Sequence, residues 1–224
     1  VSIKKRVGYV ADNQKMYDWM TVGETINFCS PFYPAWNKAL SEDLLKRFEL
    51  TKTAKVKDLS RGMNGKLALL LALSHQPELL ILDDPTSGLD PVVRREFLQG
   101  IIEVIHQEAK TVFFSTHIIT EAEQIADHVG VLEDGKLLLS QPLDELKNSV
   151  KQIRLIFEEK VPDDISFTGL LKKEQLGHEL VLTVKDYNPE MLKVLSQYSP
   201  QSTEVLDLNL EDIFVSLVGR EEKA

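Results

Sequence analysis

Apolar positions along this chain fall into short blocks whose period changes repeatedly between strand-like and helix-like. Residues 6–10 read as an opening strand, followed by a polar loop and a helix from Thr21. Leu40, Leu44, Leu45 and Phe48 recur at helical spacing. The run at 59–90, LSRGMNGKLALLLALSHQPELLILDDPTSGLD, organises the rest: a helix, a break, a buried strand and an acidic loop. Ser60 is a good N-cap before the apolar run 67–73, and Gln76-Pro77 stops the helix. Leu79–Leu82 is a short strand ending in two adjacent carboxylates, Asp83 and Asp84. Asp90-Pro91 makes a cap and first helical residue, after which Val93, Phe97, Ile101, Val104 and Ile105 form a core face. Residues 111–114 form a second buried strand that delivers Ser115-Thr116-His117. A helix over 120–126, a hairpin over 129–141 turning at Asp134-Gly135, and a short helix after Pro142 follow.

Beyond residue 150 the pattern restarts. Strands are expected over 151–158, 179–184 and 204–208, and helices over 189–198 and 210–218. The expected organisation is therefore a domain over 1–150 and a small α/β appendage over 151–224, which carries no catalytic constellation.

Composition narrows the class. The 224 residues are 43% hydrophobic and 27% charged, enough to bury a core, and no apolar run nears the roughly 18 residues of a membrane span. The net charge of −9 gives no electrostatic support to a nucleic-acid partner. The single cysteine, Cys29, excludes an internal disulfide and fits a reduced, cytoplasmic setting. The first residue is Val rather than Met, so the chain is expected to be a segment lacking its own beginning.

A strand that ends in paired acids is how open α/β sheets present a metal or phosphate site. Taken singly, the leucine-rich helix also reads as core and Asp-Asp-Pro as a turn. In this order the pieces are more specific. LSRGM followed by LLILDDPTSGLDP resembles the signature motif, Walker B strand and D-loop of ATP-binding-cassette (ABC) ATPases, and Ser115-Thr116-His117 falls where that family carries its switch histidine. The resemblance runs from about residue 7 to residue 146, and the family's phosphate loop, GxxxxGK[ST], occurs nowhere in the sequence.

The resemblance implies a P-loop NTPase-like α/β core, without its N-terminal strands and phosphate loop. The C-terminal piece is similar to appendages on bacterial ABC-2-type ATP-binding subunits. The implied ligands are ATP and Mg²⁺. Asp83 matches the metal-holding carboxylate, and Asp84 stands where the family usually has the glutamate that acts on the attacking water. His117 matches the histidine that contacts the γ-phosphate. Ser60 and Gly62 open a helix whose N–H groups suit a phosphate, Gly62 allowing close approach. Arg61 and Met63 replace the usual Gly and Gln there. Asp90 lies in the D-loop that crosses the dimer seam, and Asp12 takes the Q-loop position in place of Gln, with Gln14 nearby. The implied partners are a second ATP-binding subunit and a transmembrane permease, with the chain peripheral on the inner face of the cell membrane. The aromatic stretch Pro31, Phe32, Tyr33, Pro34 and Trp36 reads either as a local core or as the permease-docking surface. A non-catalytic regulator built on an ABC scaffold, or a cytosolic ABC-type ATPase, stand as alternative functions.

Overall fold

The computed structural model describes residues 3–108, 110–162 and 164–218. The chain divides into two compact units, Val1–Ile118 and Ile119–Ala224.

In the first unit, three parallel strands lie in the order β1 (Val7–Val10), β2 (Leu79–Asp83) and β3 (Thr111–Ser115). Four helices accompany them: α1 (Val22–Cys29), α2 (Lys38–Arg47), α3 (Arg61–Ser74) and α4 (Pro91–Glu108). Helix α3 is the centre of the unit. Leu67, Ala68, Leu69, Leu70, Ala72 and Leu73 are all buried, the all-round apolarity of a helix inside a core. It starts where expected, the Ser60 hydroxyl accepting the Met63 N–H at 3.2 Å. Strand β1 runs so close to it that a Cβ on Gly8 would stand 2.7 Å from the Ala72 carbonyl oxygen.

Strand alternation sends Val10, Leu80 and Leu82 into this core. The opposite row, Tyr9, Ile81 and Phe113, pairs across the three strands, and Tyr9 and Phe113 are exposed. Parallel sheets ordinarily bury both faces, so this row is uncovered apolar surface. In α4, Phe97 and Ile101 are buried as the spacing predicts, whereas the side chains of Val104 and Ile105 lie outside the described residues.

The second unit opens with α5 (Ile119–Ile125), the hairpin β4 (His128–Glu133) and β5 (Lys136–Pro142), and α6 (Leu143–Ser149). Asp134 and Gly135 both take positive φ at the hairpin turn, as a primed turn requires. An antiparallel sheet follows in the order β7 (Leu170–Leu176), β8 (Glu179–Val184), β6 (Lys151–Ile156) and β9 (Ser202–Asp207), with α7 (Glu190–Ser196) and α8 (Leu210–Val218). One core joins Ile153, Leu155, Leu180, Leu182 and Leu195. A second joins Leu143, Leu146 and Val150 to Leu208, Leu210 and Ile213.

That second core explains why the compact units part at Ile118/Ile119 rather than at residue 150, where the sequence pattern restarts. Helix α8 buries its apolar side against the segment that ends in α6, so 119–150 and the C-terminal residues share one interior. Strand β7 has no counterpart in the expected elements. Among the described residues, no helix is long and apolar enough to cross a membrane.

Candidate active site

The carboxyl ends of β2 and β3 build the site. Parallel register sets Asp83 opposite Ser115, and the two side chains meet there: Ser115 Oγ donates to Asp83 Oδ1 at 2.9 Å. The other Asp83 oxygen, Oδ2, accepts from the Tyr9 hydroxyl at a long 3.4 Å. Asp84 leaves the strand with φ of +43°, in the left-handed region that L-residues rarely enter. Its N–H holds that turn by donating to both the carbonyl oxygen (3.1 Å) and Oγ (3.0 Å) of Ser115.

The turn brings Asp84 Oδ2 to 2.9 Å from His117 Nδ1, where the ring donates to the carboxylate when Nδ1 carries the proton. Asp84 Oδ1 is buried and has no hydrogen-bond partner among the described residues. A buried carboxylate oxygen without a donor is costly, and a ligand that supplies a proton or a cation relieves the cost. Asp83, Asp84 and His117, which the sequence singled out, are thus gathered at one strand edge. Tyr9 and Ser115 were not singled out, although Ser115 lies inside the Ser-Thr-His triplet.

The other expected residues form a second group. Asp12, two residues beyond β1, has Oδ1 at 3.6 Å from Arg61 Nη2. Arg61 in turn lays its guanidinium against Gly88, whose φ of +69° and missing side chain make room for it. Ser60 caps α3, and Asp90 caps α4, its Oδ1 accepting the N–H groups of Val92 and Val93 at 3.1 Å each. Gln14 is folded back on its own loop, accepting the Ala11 N–H at 3.2 Å.

Gly62 differs from its sequence reading in one respect. It is buried, and the space a side chain would occupy belongs to α4: a Cβ there would lie 2.5 Å from Val93 Cγ1 and 3.7 Å from Leu89 Cδ2. The missing side chain lets α3 and α4 approach each other within this chain.

The aromatic stretch divides in two. Tyr33 stacks on His75 at 4.1 Å with the rings 13° apart, and Trp36 packs against the main core. Phe32 instead joins Phe28, Tyr17 and Trp19 through ring contacts of 5.6 to 5.8 Å, and all four are exposed. His75, which has no functional context in the sequence, is 1% exposed, and its Nδ1 has no hydrogen-bond partner among the described residues. Burial first, and the Lys110 charge more weakly, hold it below the usual histidine range against the Lys5 carbonyl, which favours the proton.

A parallel sheet that presents paired acids at its carboxyl edge, with a histidine from the next strand, is the layout of nucleotide-handling α/β proteins. The comparisons agree. The family model described as "ABC transporter" matches residues 1–87. The bacitracin transport ATP-binding protein BcrA of Bacillus licheniformis is 30% identical over 230 residues, covering 97% of this chain and 74% of the relative. The ABC transporter ATP-binding protein YtrB of Bacillus subtilis is 26% identical over 217 residues, with the same coverage of each. A solved structure of an ATP-binding subunit of an ABC transporter superposes with a TM-score of 0.57 at 25% identity, over 66% of this chain and 63% of that one. The chain belongs to the ABC transporter ATP-binding protein family.

The residues present fit one half of an ATP·Mg²⁺ site. Asp83 and Asp84 offer oxygen-only ligation, one oxygen buried and partnerless, which suits a hard cation. Among the described residues no group of three or more His, Cys, Asp or Glu converges on a metal position. The other half, the backbone cradle and lysine of GxxxxGK[ST], is not found in these 224 residues.

Proposed function

We propose that this chain carries the hydrolytic carboxylates of an ABC transporter's ATP-binding subunit and works at the seam between two such subunits. Asp83 holds Mg²⁺, and Asp84 orients the attacking water and accepts its proton. Mg²⁺, when bound with ATP, neutralises the charge that develops on the transferring phosphoryl group. His117 fixes the Asp84 carboxylate through the 2.9 Å contact and stands ready for the γ-phosphate. The observation that carries this reading is the buried, partnerless Asp84 Oδ1, held by a strained turn beside Asp83 and His117.

Ser60, Gly62 and Asp90 face the nucleotide of the other subunit in this reading. Asp12 occupies the Q-loop position and is tied to the signature through Arg61. The exposed cluster of Tyr17, Trp19, Phe28 and Phe32 supplies an apolar surface for a transmembrane permease, which holds the subunit at the inner face of the membrane. Similarity to transport ATP-binding proteins supports this partner class. The 224 residues alone lack the phosphate cradle and do not bind ATP at micromolar concentration.

The test is calorimetry and steady-state hydrolysis on the full-length subunit and its variants, with the 224-residue chain beside them. Asp83→Asn weakens Mg²⁺-dependent nucleotide binding. Asp84→Asn leaves binding intact and cuts hydrolysis by about 10²-fold or more. Parent-like turnover by Asp84→Asn would make this acid a loop residue, and micromolar ATP binding by the 224-residue chain would refute the claim about the cradle.

A further inference from the structure

We infer that Ser115 is a positioning residue for the acid pair, setting the orientation of Asp83 and coupling it to the Asp84 turn; this rests on the roles proposed above for the two acids. A serine hydroxyl carries one proton. The Asp84 N–H donates into Ser115 Oγ at 3.0 Å, so the hydroxyl's own proton goes to Asp83 Oδ1, 2.9 Å away. The direction of the relay is therefore fixed: Asp84 N–H to Ser115 O–H to the Asp83 carboxylate. Among the described residues the other donor to Asp83 is the Tyr9 hydroxyl, which stands 3.4 Å from Oδ2, at the edge of hydrogen bonding.

Register makes the arrangement specific. Ser115 is the residue of β3 directly opposite Asp83, so only a short hydroxyl side chain at that position reaches both the carboxylate and the following amide. Removing it does not undo the turn, since the Asp84 N–H keeps its 3.1 Å bond to the Ser115 carbonyl oxygen. What is lost is the shorter of the two hydrogen bonds that aim Asp83, leaving the long one from Tyr9. Hydrogen bonds to charged groups contribute more than neutral ones, and a carboxylate free to rotate meets a metal less often in the productive orientation.

The experiment compares parent, Ser115→Ala, Ser115→Thr and Asp83→Asn in the full-length subunit. Nucleotide affinity is read by calorimetry with and without Mg²⁺, hydrolysis is titrated with Mg²⁺, and melting is recorded. Ser115→Ala is expected to lose most of the Mg²⁺ enhancement of binding and to raise the half-maximal Mg²⁺ concentration about tenfold. Its melting midpoint stays within a few degrees of the parent, so the shift in Mg²⁺ dependence is not a loss of folding. Ser115→Thr keeps the hydroxyl and restores the parent behaviour. Parent-like Mg²⁺ dependence in Ser115→Ala, or failure of Ser115→Thr to rescue, overturns the inference. If Asp83→Asn shifts the Mg²⁺ dependence in that case, the metal role of Asp83 stands and only the part given to Ser115 falls. If Asp83→Asn is also parent-like, the metal reading falls with it.

Discussion

Gly62→Ala is the substitution whose cost the structure sets most sharply. The added carbon would lie 2.5 Å from Val93 Cγ1, well inside the roughly 3.5–4.0 Å at which carbon atoms rest. Val93 cannot swing aside freely, because a β-branched side chain in a helix is confined largely to one rotamer. Overpacking of this kind costs about 1–3 kcal/mol. Against it stands the gain in helix propensity from Gly to Ala, at most about 1 kcal/mol and less in a first turn. The net expectation is destabilisation of about 1–2 kcal/mol, a fall in melting midpoint of about 2–8 °C for a chain of this size. Val93→Ala makes the decisive partner: in a double-mutant cycle the clash disappears, and Gly62→Ala becomes neutral or stabilising in that background. Denaturant unfolding of the four proteins is the assay. Additive single effects, or a Gly62→Ala variant as stable as the parent, would refute the packing argument. Hydrolysis measured on the same four separates packing from phosphate approach. If the double variant regains stability and stays inactive, the glycine serves both.

Two further predictions concern the rest of the unit. His75 is buried neutral, with its folded proton affinity lowered mainly by burial, so below about pH 6.5 the unfolded chain takes up a proton that the folded chain resists. Stability is therefore fully present above that pH and declines as pH falls; His75→Phe, which keeps a ring against Tyr33, should flatten the slope below about pH 6.5, and an unchanged slope would clear His75 of the effect. Replacing Trp19 and Phe28 together by Ser should abolish co-purification with the permease while leaving the melting midpoint within about 2 °C, since both are exposed; retained co-purification would place the docking surface elsewhere.

The residues singled out in the sequence sit in short local motifs, with His117 marked by its place at the end of the next strand pattern. Asp83-Asp84 and the loop to Asp90 lie on one strand and its exit, and the helix caps at Ser60 and Asp90 are local chemistry. What was not legible depends on register between distant segments. Nothing in the spacing of Tyr9 and Ser115 shows that neighbouring strands bring both onto Asp83. The exposed aromatic cluster likewise draws Tyr17 and Trp19 from a loop and Phe28 from α1, beyond the aromatic run that drew attention. Strand β7 escaped because LLKKEQL is rich in helix formers and lacks alternation. It is an edge strand with charged side chains, held by its pairing with β8. At Gly62 the residue type was read as room for a phosphate, while the immediate neighbour in the fold is a valine of α4.

The central claim is that Asp84 governs the hydrolytic step and not nucleotide capture. The most direct measurement is the identity of the nucleotide retained by the full-length Asp84→Asn subunit after incubation with MgATP, extracted and resolved by chromatography. The arrangement at the strand edge predicts unhydrolysed ATP, with phosphate release at least about 10²-fold slower than in the parent. Recovery of ADP, formed at the parent rate, would contradict it.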